Sequence, residues 1–467
     1  APSDGGPGDA AMTATAAKVR KKTKRSKASP TGERFFFEGA PVFVEPAPGL
    51  PLIDFVVCLR GGAGTDPEDA LGTTRLMARL LRRGWRGAQP SSVDEALDRL
   101  GARLSITLGQ RSIRMSATVL ARNFEPLVAL LARLVREPAF RNDDLARAKR
   151  RIRAALHAMR DDDGALAHRH LRNHMFGDHP LGRPVGGTHA SLGRIDRSRL
   201  IAQHRTLVRR DRVFYGAAGA VDAEEVRAVL ARHFSDLPGD RSPGAPKVPA
   251  PKMARGRRIR IIHKPDRAQT QLGIATLGTW FADPHRMPLV VADAAFGGLF
   301  TSRLSHQVRT VHGYSYSTYS ALSVGPVRDA WEMWSHPATE RLADCAELQL
   351  RLLDEWAADG LRTREVSRAK QWLIRGRCFD EDTAAKRLDM RLERALRVGR
   401  QAPEPLDRFR ADVRAVNRRT ASEAVAKRIQ PRDLAIVAVG DRRLLEPALS
   451  TLGGVTEVEV RPHTGRL

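Results

Sequence analysis

Cysteine, lysine, tyrosine and long apolar runs are all scarce in this 467-residue chain, and each scarcity removes a class of function. Cysteine occurs only at Cys58, Cys345 and Cys378, far apart and with no CxxC pair. That spacing excludes a disulfide framework and a thiolate metal site, and leaves the expectation of three buried thiols. The apolar run Leu127-Val128-Ala129-Leu130-Leu131-Ala132 stops at Arg133, far short of the roughly 20 residues that span a bilayer, so no transmembrane helix is expected. Gly-rich phosphate loops are missing. The formal charge of +26 would ordinarily point to nucleic acid or an anionic membrane. Only 12 of the 79 basic residues are lysine, however, and five of those lie between Lys18 and Lys27. The arginines are scattered rather than striped, and only four tyrosines are available to stack on bases. Nucleic acid is therefore not the expected partner.

Hydrophobic residues at 42% and charged residues at 28% are ordinary globular usage, and the length is about three times a typical domain of roughly 150 residues. Residues 1–33, with seven basic residues in the ten from Lys18 to Lys27, read as a disordered basic arm. Strands are expected at Arg34–Val44 and Leu52–Leu59. A helix is expected to start at Asp66-Pro67 and run through Leu76, Met77, Leu80 and Leu81 to Gly84. A second helix is expected over Ser92–Leu100, opened by a Ser92/Glu95 capping box and stopped by Gly101. Alternation from Leu104 to Leu120 and helices over Phe124–Val135 and near Asp143–Arg160 follow. Residues 238–258 form a Pro- and Gly-rich bridge between halves 34–237 and 259–467. The halves repeat one another: Asp211–Asp222 and Asp433–Asp441 are each an apolar strand ending in Gly, then an acidic residue and a helix. The chain opens at Ala1, which fits either a periplasmic or secreted protein after signal cleavage or a cytoplasmic one after Met removal.

Three stretches in order, Gly61–Gly84 with the run from Ser91, Phe176–Thr188, and Phe296–Ser317, resemble the pitrilysin/insulinase family of zinc metallopeptidases. The resemblance implies two tandem α+β domains, each a mostly antiparallel sheet flanked by helices, forming half of a clamshell. The family's zinc site is an inverted His-x-x-Glu-His helix, in which histidines at i and i+4 share one face and the Glu between them deprotonates the metal-bound water. Here the matching positions are Arg75, Ala78 and Arg79, with Ala155 near the place of the third ligand. Guanidinium groups repel a cation, so this chain is expected to bind no zinc.

The resemblance also implies an Arg and a Tyr, seven residues apart, that reach the active site from the second half. Arg309 and Tyr316 have that spacing. They would donate hydrogen bonds to the oxyanion formed in peptide hydrolysis. Read without the family, Arg309 is a surface charge and Tyr316 a half-buried strand residue. A helix holding Leu304 and Val308 is expected to end at Gly313, followed by a strand with Tyr314 and Tyr316 on one face and Tyr319 on the other. Gly297-Gly298 fits close approach of a peptide backbone, or simply a tight turn. His168, His170 and His174 read as a solvated polar helix end rather than a metal site, with Asp161, Asp162 and Asp163 upstream. His179 reads as structural, and Arg255, Arg257, Arg258 and Arg260 as facing solvent. The resemblance, with its zinc ligands missing and its Arg/Tyr pair present, implies a subunit that needs a homologous zinc-bearing partner to cleave a peptide substrate. The alternative is a catalytically silent scaffold subunit of a larger assembly.

Overall fold

The computed structural model describes residues 32–239, 248–398 and 408–465. The basic arm therefore lies outside the described residues apart from its last two, as do residues 240–247 of the bridge. From Gly32 onward the chain forms one compact unit.

Apolar runs build a first sheet from β1 (Glu33–Phe37), β2 (Ala40–Pro46), β3 (Leu52–Arg60), β4 (Arg103–Leu108), β5 (Ser112–Leu120) and β6 (Val213–Gly219). Their order is β1-β2-β6-β3-β5-β4, antiparallel except where β2 meets β6. The later strands are β7 (Arg257–His263), β8 (Gln271–Leu277), β9 (Thr279–Trp280), β10 (Thr318–Leu322), β11 (Val324–Gly325), β12 (Ala330–Ser335), β13 (Leu434–Gly440) and β14 (Val455–Pro462). Six of them form a second sheet in the order β10-β12-β8-β13-β7-β14, while β9 and β11 pair separately. In both sheets a parallel pair, β2/β6 or β7/β13, leads into three antiparallel steps. The repeated segments are β6 and β13, which hold equivalent places. Both are near-continuously buried, as strands covered on two faces must be.

The helices of the first half are α1 (Thr73–Leu81), α2 (Ser92–Leu100), α3 (Phe124–Arg136), α4 (Asn142–Ala158), α5 (Asp163–Phe176), α6 (His189–Arg194), α7 (Arg197–Leu207) and α8 (Ala223–His233). Those of the second are α9 (Arg286–Asp293), α10 (Arg303–Ser305), α11 (Leu342–Asp359), α12 (Thr363–Asp380), α13 (Ala384–Val398), α14 (Arg408–Ala415), α15 (Arg418–Arg428) and α16 (Arg442–Ser450). Most cover one face of their own sheet. Because strand residues alternate sides, Val42, Val44, Phe55 and Val57 meet the first half's helices, while Phe43, Val56 and Cys58 point the other way.

That second face is covered from the other half. Leu388, Leu392 and Ala395, at helical spacing on α13, pack on Phe43, Val56, Cys58, Phe214 and Ala218. Reciprocally, Leu166, Ala167, Leu171 and Met175 of α5 pack on Ala275, Leu277, Ala435, Val437 and Val439 of the second sheet. Ion pairs fasten each exchanged helix. Buried Glu45 meets Arg387 and Arg391 at 3.2 and 2.9 Å, and Lys264 and Arg172 meet Asp163 and Asp329 at 2.5 and 3.1 Å.

The packing corrects three expectations. Of the three histidines of α5 only His168 is exposed: His174 is buried, with Nε2 3.0 Å from the Arg258 carbonyl oxygen, and burial pushes the pKa values of His170 and His174 down to about 3 and 4. Several arginines flanking the bridge face protein rather than solvent. Arg258 donates to the His174 carbonyl, buried Arg260 bonds Glu459 and Asn173, and Arg257 forks onto Asp354. Cys58 and Cys345 are buried, the former with its thiol pushed up to about 12, but Cys378 is exposed on α12.

Candidate functional site

Helix α1 begins later than the Asp66-Pro67 signal suggests. Gly72, at φ 97°, turns the chain into the helix, in a conformation that other residues adopt only with strain. The Asp66 carboxylate does act as a cap, but from six and eight residues away. It accepts from the Gly72 and Thr74 amides at 2.7 and 2.8 Å and from Thr74 Oγ1 at 2.5 Å. Leu76, Met77, Leu80 and Leu81 then face the core. Helix α2 shows a smaller difference: Ser91 is its first flanking residue, no side chain caps it, and Gly101 ends it in the left-handed conformation.

On α1, Ala78 is buried, Arg75 half-buried and Arg79 exposed. Burial first, and the Arg79 charge second, lower the Arg75 pKa. Ala155 on α4 is exposed. Two guanidinium groups and two methyl groups offer no lone pair to a metal, so the residues here do not fit zinc. Among the described residues, no group of three His, Cys, Asp or Glu side chains could hold a metal ion elsewhere.

The second half builds a different constellation. After α9 the chain passes through a π-helical turn at Ala294–Gly298, then α10, then a second π-helical segment at His306–Val311. Arg303 on α10 forks onto Glu365 at 2.9 and 2.7 Å and anchors this stretch to α12. The wider π turn carries Arg309, and the Tyr314 amide closes back on the Val308 carbonyl at 2.9 Å. Ser315 Oγ donates to the Ser317 carbonyl and accepts from the His336 amide, which pins the backbone on either side of Tyr316. Tyr316 projects outward, 85% exposed.

The guanidinium carbon of Arg309 lies 4.8 Å from the Tyr316 ring centroid and 3.9 Å from that of Phe300. The cation thus has an aromatic ring within cation–π reach on each of two residues. Such exposed cation–π contacts contribute about 0.5–1 kcal/mol each, enough to bias a side chain that is otherwise mobile. The structure thus brings Arg309 and Tyr316 together. It adds Phe300, 72% exposed, whose sequence signal was an aromatic residue two positions after Gly297-Gly298.

Two expectations about this stretch change. Tyr314 and Tyr316 do not share a strand face, because β10 starts only at Thr318. Tyr314 is half-buried and stacks on His312 at 5.2 Å. Of the glycine pair, Gly297 is buried so closely under β10 that a Cβ would lie 2.4 Å from Ser320 Oγ, whereas Gly298 is exposed. His179 is tied into the Pro180 turn: its Nδ1 accepts from the Leu181 amide, and its Nε2 is 3.0 Å from the Pro249 carbonyl oxygen.

Known proteins match both halves. Residues 51–189 match the family described as insulinase (peptidase family M16), and residues 194–373 match the peptidase M16 inactive domain. An uncharacterized zinc protease of Mycobacterium tuberculosis is 31% identical over 334 residues, covering 70% of this chain and 75% of that protein. A Helicobacter pylori protein named a non-peptidase homolog is 21% identical and covers 75% of this chain and 80% of its own length. The solved peptidase M16 inactive domain from Pseudomonas fluorescens has a TM-score of 0.81 at 23% identity, covering 88% of this chain and 98% of that one, which speaks to the fold alone. Two matched segments in tandem, a zinc helix without ligands and the duplicated sheets lead to one conclusion: the chain belongs to the insulinase (M16) peptidase family, as a member that lacks the zinc site.

Proposed function

We propose that this chain is the non-zinc-binding subunit of a heterodimeric zinc metalloendopeptidase, inactive alone, with peptidase-like halves at 34–237 and 259–467. A homologous His-x-x-Glu-His partner would bring zinc and the general base, and zinc there supplies an activated water and polarises the scissile carbonyl. This chain's share is to bind the peptide beside the Gly297-Gly298 turn and to donate from the Tyr316 hydroxyl and the Arg309 N–H edge to the oxyanion. The observation that carries the reading is the convergence of Arg309 and Tyr316 on one exposed face, held by Phe300, in a chain whose own metal position is occupied by cations.

The test is peptide cleavage by the chain alone and mixed with the zinc-bearing homologue, with metal content measured in each sample. Activity is expected only in the mixture. Losing one oxyanion donor typically costs roughly 2.7–4 kcal/mol, so Tyr316→Phe in the assembled complex is expected to cut turnover about 100-fold or more. Near-full turnover in that variant would refute the role of Tyr316. Zinc-dependent cleavage by the chain alone would refute the reading of Arg75, Ala78 and Arg79. A stable complex that cleaves nothing would identify the scaffold instead.

A further inference from the structure

The elements around α1 add positive charge to the former zinc position and do not neutralise it. Arg75 lies against the Gly186-Gly187 turn, its Nη1 3.2 Å from the point that a Cβ on Gly186 would occupy. Arg169, from α5, meets the same turn and donates from Nη2 to the Gly187 carbonyl at 3.2 Å. Arg153, from α4, brings its Nη2 within 4.0 Å of the corresponding point on Gly193 of α6, the helix that starts two residues after the turn. His189, the first residue of α6, has its pKa lowered by burial and then by Arg160, Arg153, His157 and Arg169. Burial alone brings Arg169 down to about 10.

Among the described residues, Arg75, Arg79, Arg153 and Arg169 have no carboxylate within ion-pair distance. The acids near them are engaged elsewhere: Asp66 by the start of α1, Asp69 by Arg199, and Asp163 by Lys264 and Arg267. Arg75, Arg153, Arg169 and His189 are half-buried. Partly desolvated cations that repel one another are destabilising when unpaired, and a bound anion relieves both the desolvation and the repulsion. Guanidinium groups are also the side chains best shaped to fork onto a carboxylate or phosphate.

We propose that the position where relatives hold a metal cation is here an oxyanion site, formed by Arg75, Arg153 and Arg169 around the Gly186-Gly187 turn and the start of α6. Its ligand is a carboxylate or phosphate group, and in the peptidase subunit it is the side-chain carboxylate of an acidic peptide. That last assignment rests on the proposed function, whereas the site itself does not.

The experiment uses the full chain alone and needs no cleavage, so failure of the heterodimer reading leaves it intact. Inorganic phosphate is titrated at constant ionic strength, held with chloride, into the wild type, Arg75→Met and Arg169→Met, followed by calorimetry and thermal midpoint. Phosphate is expected to bind the wild type and raise its midpoint, with affinity about tenfold or more weaker in either variant, as befits loss of a charged hydrogen-bonding partner. Without phosphate, Arg75→Met is expected to melt no lower than the wild type, whereas Arg169→Met also loses its hydrogen bond to the Gly187 carbonyl. Arg153→Met, which removes a side chain without a hydrogen bond among the described residues, replaces either variant that fails to fold. Equal phosphate response in the wild type and every folded variant overturns the site. A second titration compares a Glu-containing peptide with its Gln counterpart. A Glu preference of about fivefold or more, lost in Arg75→Met, assigns the site to peptide carboxylates. Phosphate binding without that preference supports the site and overturns the peptide assignment.

Discussion

Asp293 gives the sharpest quantitative test of the packing behind the Arg309–Tyr316 face. It ends α9 and is buried beneath β10, where Oδ1 accepts from Ser320 Oγ at 2.6 Å and from Trp331 Nε1 at 2.7 Å. Burial pushes the carboxyl up to about 6, and the two donors pull it back only in part. A raised carboxyl binds more protons folded than unfolded, so its contribution is fully present below the unfolded pKa near 3.8 and is lost as pH rises through about 6. The rise from 3.8 to about 6 is worth about 3 kcal/mol of stability. Asp293→Asn keeps an acceptor for both donors and does not titrate. Urea unfolding of the wild type and Asp293→Asn at pH 4, 5, 6 and 7, followed by tryptophan fluorescence, isolates this group, because every other titration is common to both chains. The stability of the wild type relative to the variant is expected to fall by about 2 kcal/mol across that range, because part of the contribution is already lost at pH 4. A difference that stays constant within about 0.5 kcal/mol would show that Asp293 is solvated or already ionised in the fold, and would refute the buried anchor.

Leu388→Ala on α13 is expected to cost about 2–5 kcal/mol, as truncation of a fully buried Leu does. For a unit of about 440 residues unfolding together, that lowers the thermal midpoint by roughly 2–5 °C. Because α13 and α5 are exchanged, the fluorescence of Trp334 in the other sheet should move with the same transition, and an unmoved Trp334 transition would refute the coupling. Asp66→Ala strands the Gly72 and Thr74 amides and the Thr74 hydroxyl, which is expected to cost about 3 kcal/mol or more, at 1–3 kcal/mol for each stranded group. A loss below about 1 kcal/mol in urea would show that α1 does not depend on this remote cap.

Period and punctuation carried much of the fold. The apolar stripe of α3, the stop at Gly101 and the matching β6 and β13 segments were all legible, because local geometry dictates them. The start of α1 was not, since its capping carboxylate comes from Asp66 across an intervening 3-10 turn. Neither was the exchange. A stripe such as Leu388, Leu392 and Ala395 says that a face is buried, not which sheet covers it, and the histidines of α5 were misread for that reason. At the site, spacing singled out Arg309 and Tyr316. Their contact depends on π-helical turns and a serine clamp that no period announces, and the pairing of Tyr314 with Tyr316 failed because it assumed a strand where the chain is irregular.

The exchanged helices also impose an order on synthesis. The first sheet is complete in sequence once Gly219 has been made, but the leucines that cover its second face come roughly 170 residues later, a delay of about 10–35 s at ordinary translation rates. During that interval Phe43, Val56 and Phe214 present an apolar surface with nothing of their own half to lay over it. The nascent first half is therefore a natural client for a chaperone at the ribosome. A gene cut between the halves would yield two fragments, each missing the lid for one sheet. The N-terminal half, although it lacks zinc ligands, carries in α5 the cover for the sheet of the other half.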